Sequence, residues 1–200
     1  MDKIQLAINK MKQNSFNKTF YQVDLPLDEL LYNALRFLNR TLAKSIDGNT
    51  LSNPQAFMEG IYQRLPEFQR DNDKWTPEMQ SIFVRNVLLG LKPAPLVFYT
   101  LDDTKSNCKL LDGLQRITSF GRFFSDPDMP IPFDDNVVLT AKELLESDAV
   151  QRSMWNLVVP LRIYEFGSDK EACQFYIDFN ENITHSSDDI LRAKHFLETL

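Results

Sequence analysis

Residues 96–124, LVFYTLDDTKSNCKLLDGLQRITSFGRFF, decide the fold class. The stretch opens with β-branched and aromatic residues, breaks at the turn-forming DDTKSN (102–107) and resumes in CKLLD (108–112). Two apolar runs separated by such a cluster predict two strands paired back on each other. From Leu114 to Phe124 the apolar positions change to a helical period, so a helix follows at once. Between strand and helix stands a polar knot, Asp112-Gly113-Leu114-Gln115-Arg116. A helix that starts directly after a strand leaves its first N–H groups unpaired and carries positive partial charge there. Such an end is ready to bind phosphate.

Working outward, Leu27, Leu30, Leu31, Ala34, Leu35, Leu38 and Leu42 repeat at three-and-four spacing and predict one helix over 25–44. SIDGNTLSNP (45–54) reads as a loop. FMEGIYQRLP (57–66) reads as a strand closed by Pro66, and EFQRDNDKWTP (67–77) as a polar loop. A helix from Pro77 to Leu89 is expected, with Gly90 as its C-cap. SDPDMPIPFDDN (125–136) reads as irregular, and 140–150 as helical. WNLVVPLRIYEF (155–166) is a strand whose Pro160 suggests an edge or bulge. Ser168 and Glu171 form a capping box for a helix with Ala172, Phe175, Tyr176 and Phe179 as its buried stripe. A last helix begins at Ser186 or Ser187. Residues 1–22 are polar, with a short amphipathic stretch at Ile4, Leu6, Ile8 and Met11. The expected class is α+β, a small mixed β-sheet surrounded by helices. Residues 1–50 are expected as an N-terminal helical extension, and 51–200 as the main domain with its C-terminal helices.

Composition narrows the function classes. The chain has 200 residues, 43% hydrophobic and 25% charged, enough for a real core. Its net charge of −6 is concentrated late, since residues 126–200 hold 6 basic against 15 acidic side chains. Phosphate-backbone binding is driven by clustered Lys and Arg, so the chain as a whole is a poor generic DNA binder. Over 61–125 basic residues outnumber acidic ones 9 to 7, which leaves room for a phosphate. Cys108 and Cys173 fit no zinc spacing and are expected as free thiols. With His185 and His195 alone, a His-rich metal centre is hard to assemble. No apolar run reaches the roughly 20 residues that span a bilayer, and no signal-peptide pattern opens the chain. A cytoplasmic protein without a membrane partner is expected.

In the knot, Gly113 lets an anion approach the backbone because it lacks a Cβ. Arg116 offers a permanently charged clamp for phosphate. Asp112 suits a metal, an orienting bond to Arg116, or a proton from water, and Gln115 suits positioning a water. Asp112 and Gln115 are also spaced as N-cap and N3, a D-x-x-Q capping box. Gln69 and Arg70 in RLPEFQRDNDKW (64–75) are candidates to face the same anion, or Arg70 pairs with a local acid. Asn180, at a helix end in FNENITHSSDD, is either a C-cap or a nucleotide contact.

Taken in order, these motifs resemble a known family. Leu65-Pro66-Glu67-Phe68-Gln69-Arg70 with Trp75 is followed by Gly90-Leu91-Lys92-Pro93-Ala94-Pro95, then Asp112 to Thr118, then Phe179-Asn180 and Asp188-Asp189-Ile190 with Ala193. This resembles the N-terminal domain of GmrSD-type (type IV restriction) proteins, a branch of the ParB/sulfiredoxin-like superfamily, over about residues 55 to 195. The resemblance implies a nucleoside-triphosphate-binding fold that hydrolyses its nucleotide, with Mg²⁺, or couples it to DNA processing. It implies Asp112, Gln115 and Arg116 as catalytic residues, with Asp112 also at the metal. Gln69, Arg70, Gly113 and Asn180 would bind nucleotide. DNA, a partner protein or a second copy of the chain are the further partners implied. The chain departs from the usual D-G-Q-Q-R at Leu114, and no Gly follows Asn180. Two other functions stay open: a DNA phosphodiesterase using the same pocket, and a non-catalytic subunit with an acidic surface.

Overall fold

The computed structural model describes residues 2–12, 19–69, 74–102, 104–180 and 187–199. In chain order the elements are α1 (Lys3–Lys12), β1 (Thr19–Pro26), α2 (Leu30–Leu38), α3 (Arg40–Ser45), α4 (Pro54–Tyr62) and α5 (Pro77–Leu88). Then come β2 (Leu96–Thr100), β3 (Lys109–Asp112), α6 (Leu114–Ser125), β4 (Pro130–Pro132), β5 (Val138–Thr140) and α7 (Ala141–Leu145). The chain closes with α8 (Asp148–Met154), β6 (Val158–Glu165), α9 (Asp169–Asn180) and α10 (Ser187–Thr199).

Four strands form a mixed sheet in the order β1-β6-β2-β3, with β2 and β6 parallel and the outer pairs antiparallel. The protein is therefore α+β, as expected. All five residues of β2 are buried because both faces of the sheet are covered. Leu96 and Phe98 enter the larger core, together with Leu110, Leu161 and Ile163 and the apolar faces of α2, α4 and α6. Val97 and Tyr99 face the other way, into a smaller core with Leu111, Tyr164 and the α9 residues Ala172, Phe175 and Tyr176. Helices thus lie on both sides of one sheet. No described helix is long and apolar enough to cross a membrane.

The β2–β3 pair, α5 and α6 stand where the sequence put them. Gly90 has φ 98, the left-handed backbone of a helix end. Several other expectations are corrected. The helix expected over 25–44 begins as β1, and its helical part is split at Asn39, whose side chain accepts from the Leu42 N–H and caps α3. The boundary expected at residue 50 divides nothing, since β1 pairs with β6 and α2 lines the main core. FMEGIY, expected as a strand, is α4, started by Pro54 at its first turn. Part of the stretch expected to be irregular is β4, which pairs with β5. The 140–150 region is two short helices. Pro160 lies in β6, an interior strand, where the β2 ladder begins only at Leu161. At Pro160 the strand therefore has β1 alone beside it, through Asp24.

α9 is anchored as its sequence indicates, with the box shifted by one residue. Ser168 Oγ accepts from the Glu171 N–H at 3.2 Å, and the Glu171 carboxylate accepts from the Gly167 N–H at 2.8 Å. At the same end Asp169 accepts from Tyr99 Oη and from Lys109 Nζ, both at 2.8 Å. Phe179 is more than a third exposed, so the stripe is narrower than expected. Ile4, Leu6, Ile8 and Met11 of α1 are also exposed.

Candidate functional site

β3 ends at Asp112 and α6 begins at Leu114, joined by Gly113 alone. Gly113 has φ 104, a conformation L side chains avoid. A Cβ there would meet Leu96 Cδ2 at 2.8 Å, Arg116 Nη2 at 3.1 Å and Leu96 Cα at 3.3 Å. Glycine is required on both counts. It is also the N-cap of α6, and no side chain caps this helix. The D-x-x-Q cap is therefore not formed, and among the described residues the first N–H groups of α6 have no side-chain acceptor.

Asp112 instead turns to Arg116. Its Oδ2 accepts from Arg116 Nη2 at 2.7 Å, and the same nitrogen donates to the Pro95 carbonyl at 3.0 Å. Both side chains are about one-fifth exposed. One guanidinium nitrogen thereby ties β3, α6 and the link before β2 together.

A β-bulge sets the face on which Asp112 stands. Leu110 opposes Phe98, yet Asp112 opposes Val97, so the register shifts across Leu111. Strict alternation would send Asp112 to the larger core with Leu110. The bulge puts it opposite Val97, on the α9 face. Tyr176 of α9 feels the result. Burial, with the negative charge of Asp112 behind it, pushes its phenol up to about 12, against a smaller pull from Arg192 of α10. In the same sheet row Arg162 of β6 pairs with Val97. Asp112 and Arg162 are thus two strand spacings apart, about 10 Å.

Three buried polar atoms in this region have no partner: Arg116 Nε, Gln115 Oε1 and Arg162 Nε. Buried donors and acceptors are ordinarily satisfied, so such atoms call for an explanation. Two of them are cationic donors and one is an amide acceptor.

The other expected residues fall as follows. In the amide orientation that its neighbours require, the Gln69 nitrogen donates to the carbonyls of Leu110 at 2.6 Å and Leu111 at 3.2 Å, strapping the edge of β3 just before the knot. The Leu110 N–H completes that strap on the Arg64 carbonyl. Gln69 is close to Asp112 along the strand but engaged with backbone. Asn180 is buried, and its amide donates back to the Tyr176 carbonyl at 2.8 Å, inside α9 rather than as its C-cap. Arg70 lies outside the described residues, as does the 181–186 segment. Of Asp188 to Ile190 only the backbone, in α10, is described. Trp75 packs on Phe83 with ring centroids 5.1 Å apart. Both cysteines are buried free thiols, as expected.

Arg162 and Arg192 were not singled out in the sequence, and Tyr176 was expected only as part of the buried stripe of its helix. The alternation of β6 marks Arg162 as an inward charge in a buried strand, which was the available signal. Among the described residues no three His, Cys, Asp or Glu side chains stand close enough to share a metal ion. Comparisons with protein-family models, with curated proteins and with solved structures found no match.

Proposed function

We propose that this end of the sheet binds the phosphates of a nucleoside triphosphate, and that the chain is a ParB/sulfiredoxin-like nucleotide hydrolase. The observation that carries it is the pair of unpartnered guanidinium nitrogens, Arg116 Nε and Arg162 Nε, beside an uncapped helix start. Oriented cationic donors and free helical N–H groups together suit an oxyanion, phosphate among them. Arg116 can keep Asp112 on Nη2 while Nε turns to the anion. A polyphosphate chain can lie between the two arginines. Gln115 Oε1 then takes a hydroxyl or N–H of the nucleotide.

Hydrolysis needs mainly charge neutralisation and a positioned water. Asp112 accepts a hydrogen bond from that water. The water oxygen bonds to the terminal phosphorus as the bond to the bridging oxygen breaks, the diphosphate leaving with the electron pair and the water proton passing through Asp112 to a phosphate oxygen. The arginines offset the charge that gathers on the phosphate oxygens. Asp112 fits Mg²⁺ as a single protein ligand, with the remaining ligands coming from phosphates and water. The ordered motifs that resemble the GmrSD-type domain support this reading and tie it to DNA processing.

The test is thermal unfolding with ATP, GTP, CTP and UTP, with and without Mg²⁺, on the wild type and Arg116→Ala. A nucleotide at a hundred times its dissociation constant should stabilise the fold by about 2.7 kcal/mol. Arg116→Ala should lose that shift while remaining folded. Absence of any shift, or an undiminished shift in Arg116→Ala, overturns the proposal. Phosphate release that disappears in Asp112→Asn with binding retained would establish the hydrolytic step.

A further inference from the structure

A second recess lies away from the knot, where the start of α2, the loop before α4 and the end of α8 meet. Its volume is about 250 Å³, and its lining includes Asp28, Glu29, Thr50, Gln151 and Trp155. No described lysine or arginine contributes to that lining. Thr50 is 1% exposed, and its Oγ1 has no hydrogen-bond partner. Asp28 Oδ1, on the opposite element, is also buried without a partner. Two residues that each carry an unsatisfied buried oxygen thus line one recess.

The acids alone would prove little, since carboxylates at the start of α2 complement its dipole. Thr50 is independent of that explanation, being carried by a loop and not by the helix. The two oxygens ask for donors, and a carboxylate asks for a positive one. Burial, helped by the charge of Glu29, pushes the Asp28 carboxyl above its ordinary value against weaker backbone hydrogen bonds. A neighbouring cation would relieve that. α8 ends in the recess, and helix C-termini carry negative partial charge. Trp155, at that end, is 69% exposed, and its indole is the best aromatic partner for a cation.

We propose that this recess binds a primary ammonium group, with Asp28 Oδ1 and Thr50 Oγ1 as acceptors and Trp155 beside the charge. The volume falls just below the range of small-molecule pockets, about 300–1,000 Å³, and suits a head group on an alkyl stem. That chemistry comes from a free alkylamine or from a lysine side chain of a partner protein. It is independent of the nucleotide site.

The experiment titrates the full chain with n-butylammonium, with n-butanol as the neutral control, following Trp155 fluorescence in a Trp75→Phe background. Nα-acetyl-lysine amide is the second probe. Saturable quenching by n-butylammonium and none by n-butanol is expected. Asp28→Asn should weaken binding by about tenfold or more, as loss of a charged hydrogen-bond acceptor implies. Thr50→Val should weaken it less, and thermal unfolding of each variant checks that it is folded. Equal binding of the lysine amide assigns the recess to a partner's side chain, and preference for n-butylammonium assigns it to a free amine. Both support the site. Equal quenching by n-butanol, no saturable quenching, or unchanged affinity in Asp28→Asn overturns it. Were Asp28→Asn unfolded, Glu29→Gln, which removes the other carboxylate of the recess from an exposed position, would give the reading instead.

Discussion

β3 and α9 run side by side in the same direction, and their two ends are built differently. At the first end Asp169 receives both Tyr99 and Lys109, and none of the three has a buried atom without a partner. At the other end Asp112 and Arg116 pair, yet Arg116 Nε, Gln115 Oε1 and Arg162 Nε stay unpartnered. Both ends hold a carboxylate, a cation and a tyrosine. The first is closed within itself and fastens a helix to a sheet. The second leaves two guanidinium nitrogens and an amide oxygen without partners; beside the first, Arg64, whose carbonyl accepts from the Leu110 N–H, leaves a single Nε so.

Substitutions can break that contrast. The largest effect is expected from Gly113→Ala, which adds a Cβ in a left-handed backbone against Leu96 and Arg116. Denaturant unfolding should show a loss of about 3 kcal/mol. A loss below 1 kcal/mol would mean the turn can relax. At the closed end, Lys109→Met should cost about 1 kcal/mol at neutral pH, with nucleotide shifts unchanged. Burial lifts the Asp169 carboxyl, but the hydrogen bonds from Lys109 and Tyr99 and the charge of Lys109 outweigh it and hold it below its ordinary value. A lowered folded-state value means that the unfolded chain takes up the proton first. This stabilisation is therefore complete above the ordinary Asp value, about 3.9, and is lost as pH falls through the folded one. The wild type should lose its advantage over Lys109→Met on acidification, read from unfolding curves between pH 7 and pH 3.

At the open end the sign reverses. Arg162→Leu removes an unsatisfied buried donor, so the ligand-free protein should be as stable or up to about 1 kcal/mol more stable. Nucleotide affinity should nevertheless fall about tenfold. Loss of stability without loss of affinity would make Arg162 a structural residue. The smallest effect concerns the thiols. Burial pushes Cys108 up to about 12 and Cys173 up to about 11. Neither should be alkylated by iodoacetamide in the native protein at pH 8, as mass spectrometry will report.

The strand–turn–helix unit was legible because each part carries its own periodicity, with a turn cluster between. β1 was not, because Leu25 and Leu27 continue into the leucine spacing of α2, and the longer pattern hid the alternation of Tyr21, Val23 and Leu25. α4 was misread because a short apolar run has no period of its own. What makes it helical is packing: a Cβ on Gly60 would meet Leu42 and Leu35 within 3 Å, so this glycine lets the helices approach. Within the knot the residues were legible and their geometry was not. The same spacing serves a capping box and an ion pair, and the bulge at Leu111 chose between faces. Arg162 reaches this region through the β6–β2 register, which depends on contacts distant in sequence.

The bulge has a mechanical consequence. Asp112 faces the α9 layer while its partner Arg116 belongs to the helix packed on the opposite face, so the ion pair crosses the rim of the sheet. A ligand held by Arg116 and Arg162 would act as a rivet at that rim. Amide protons of α9 should then exchange more slowly when that rivet is in place, even though α9 contributes none of its charges.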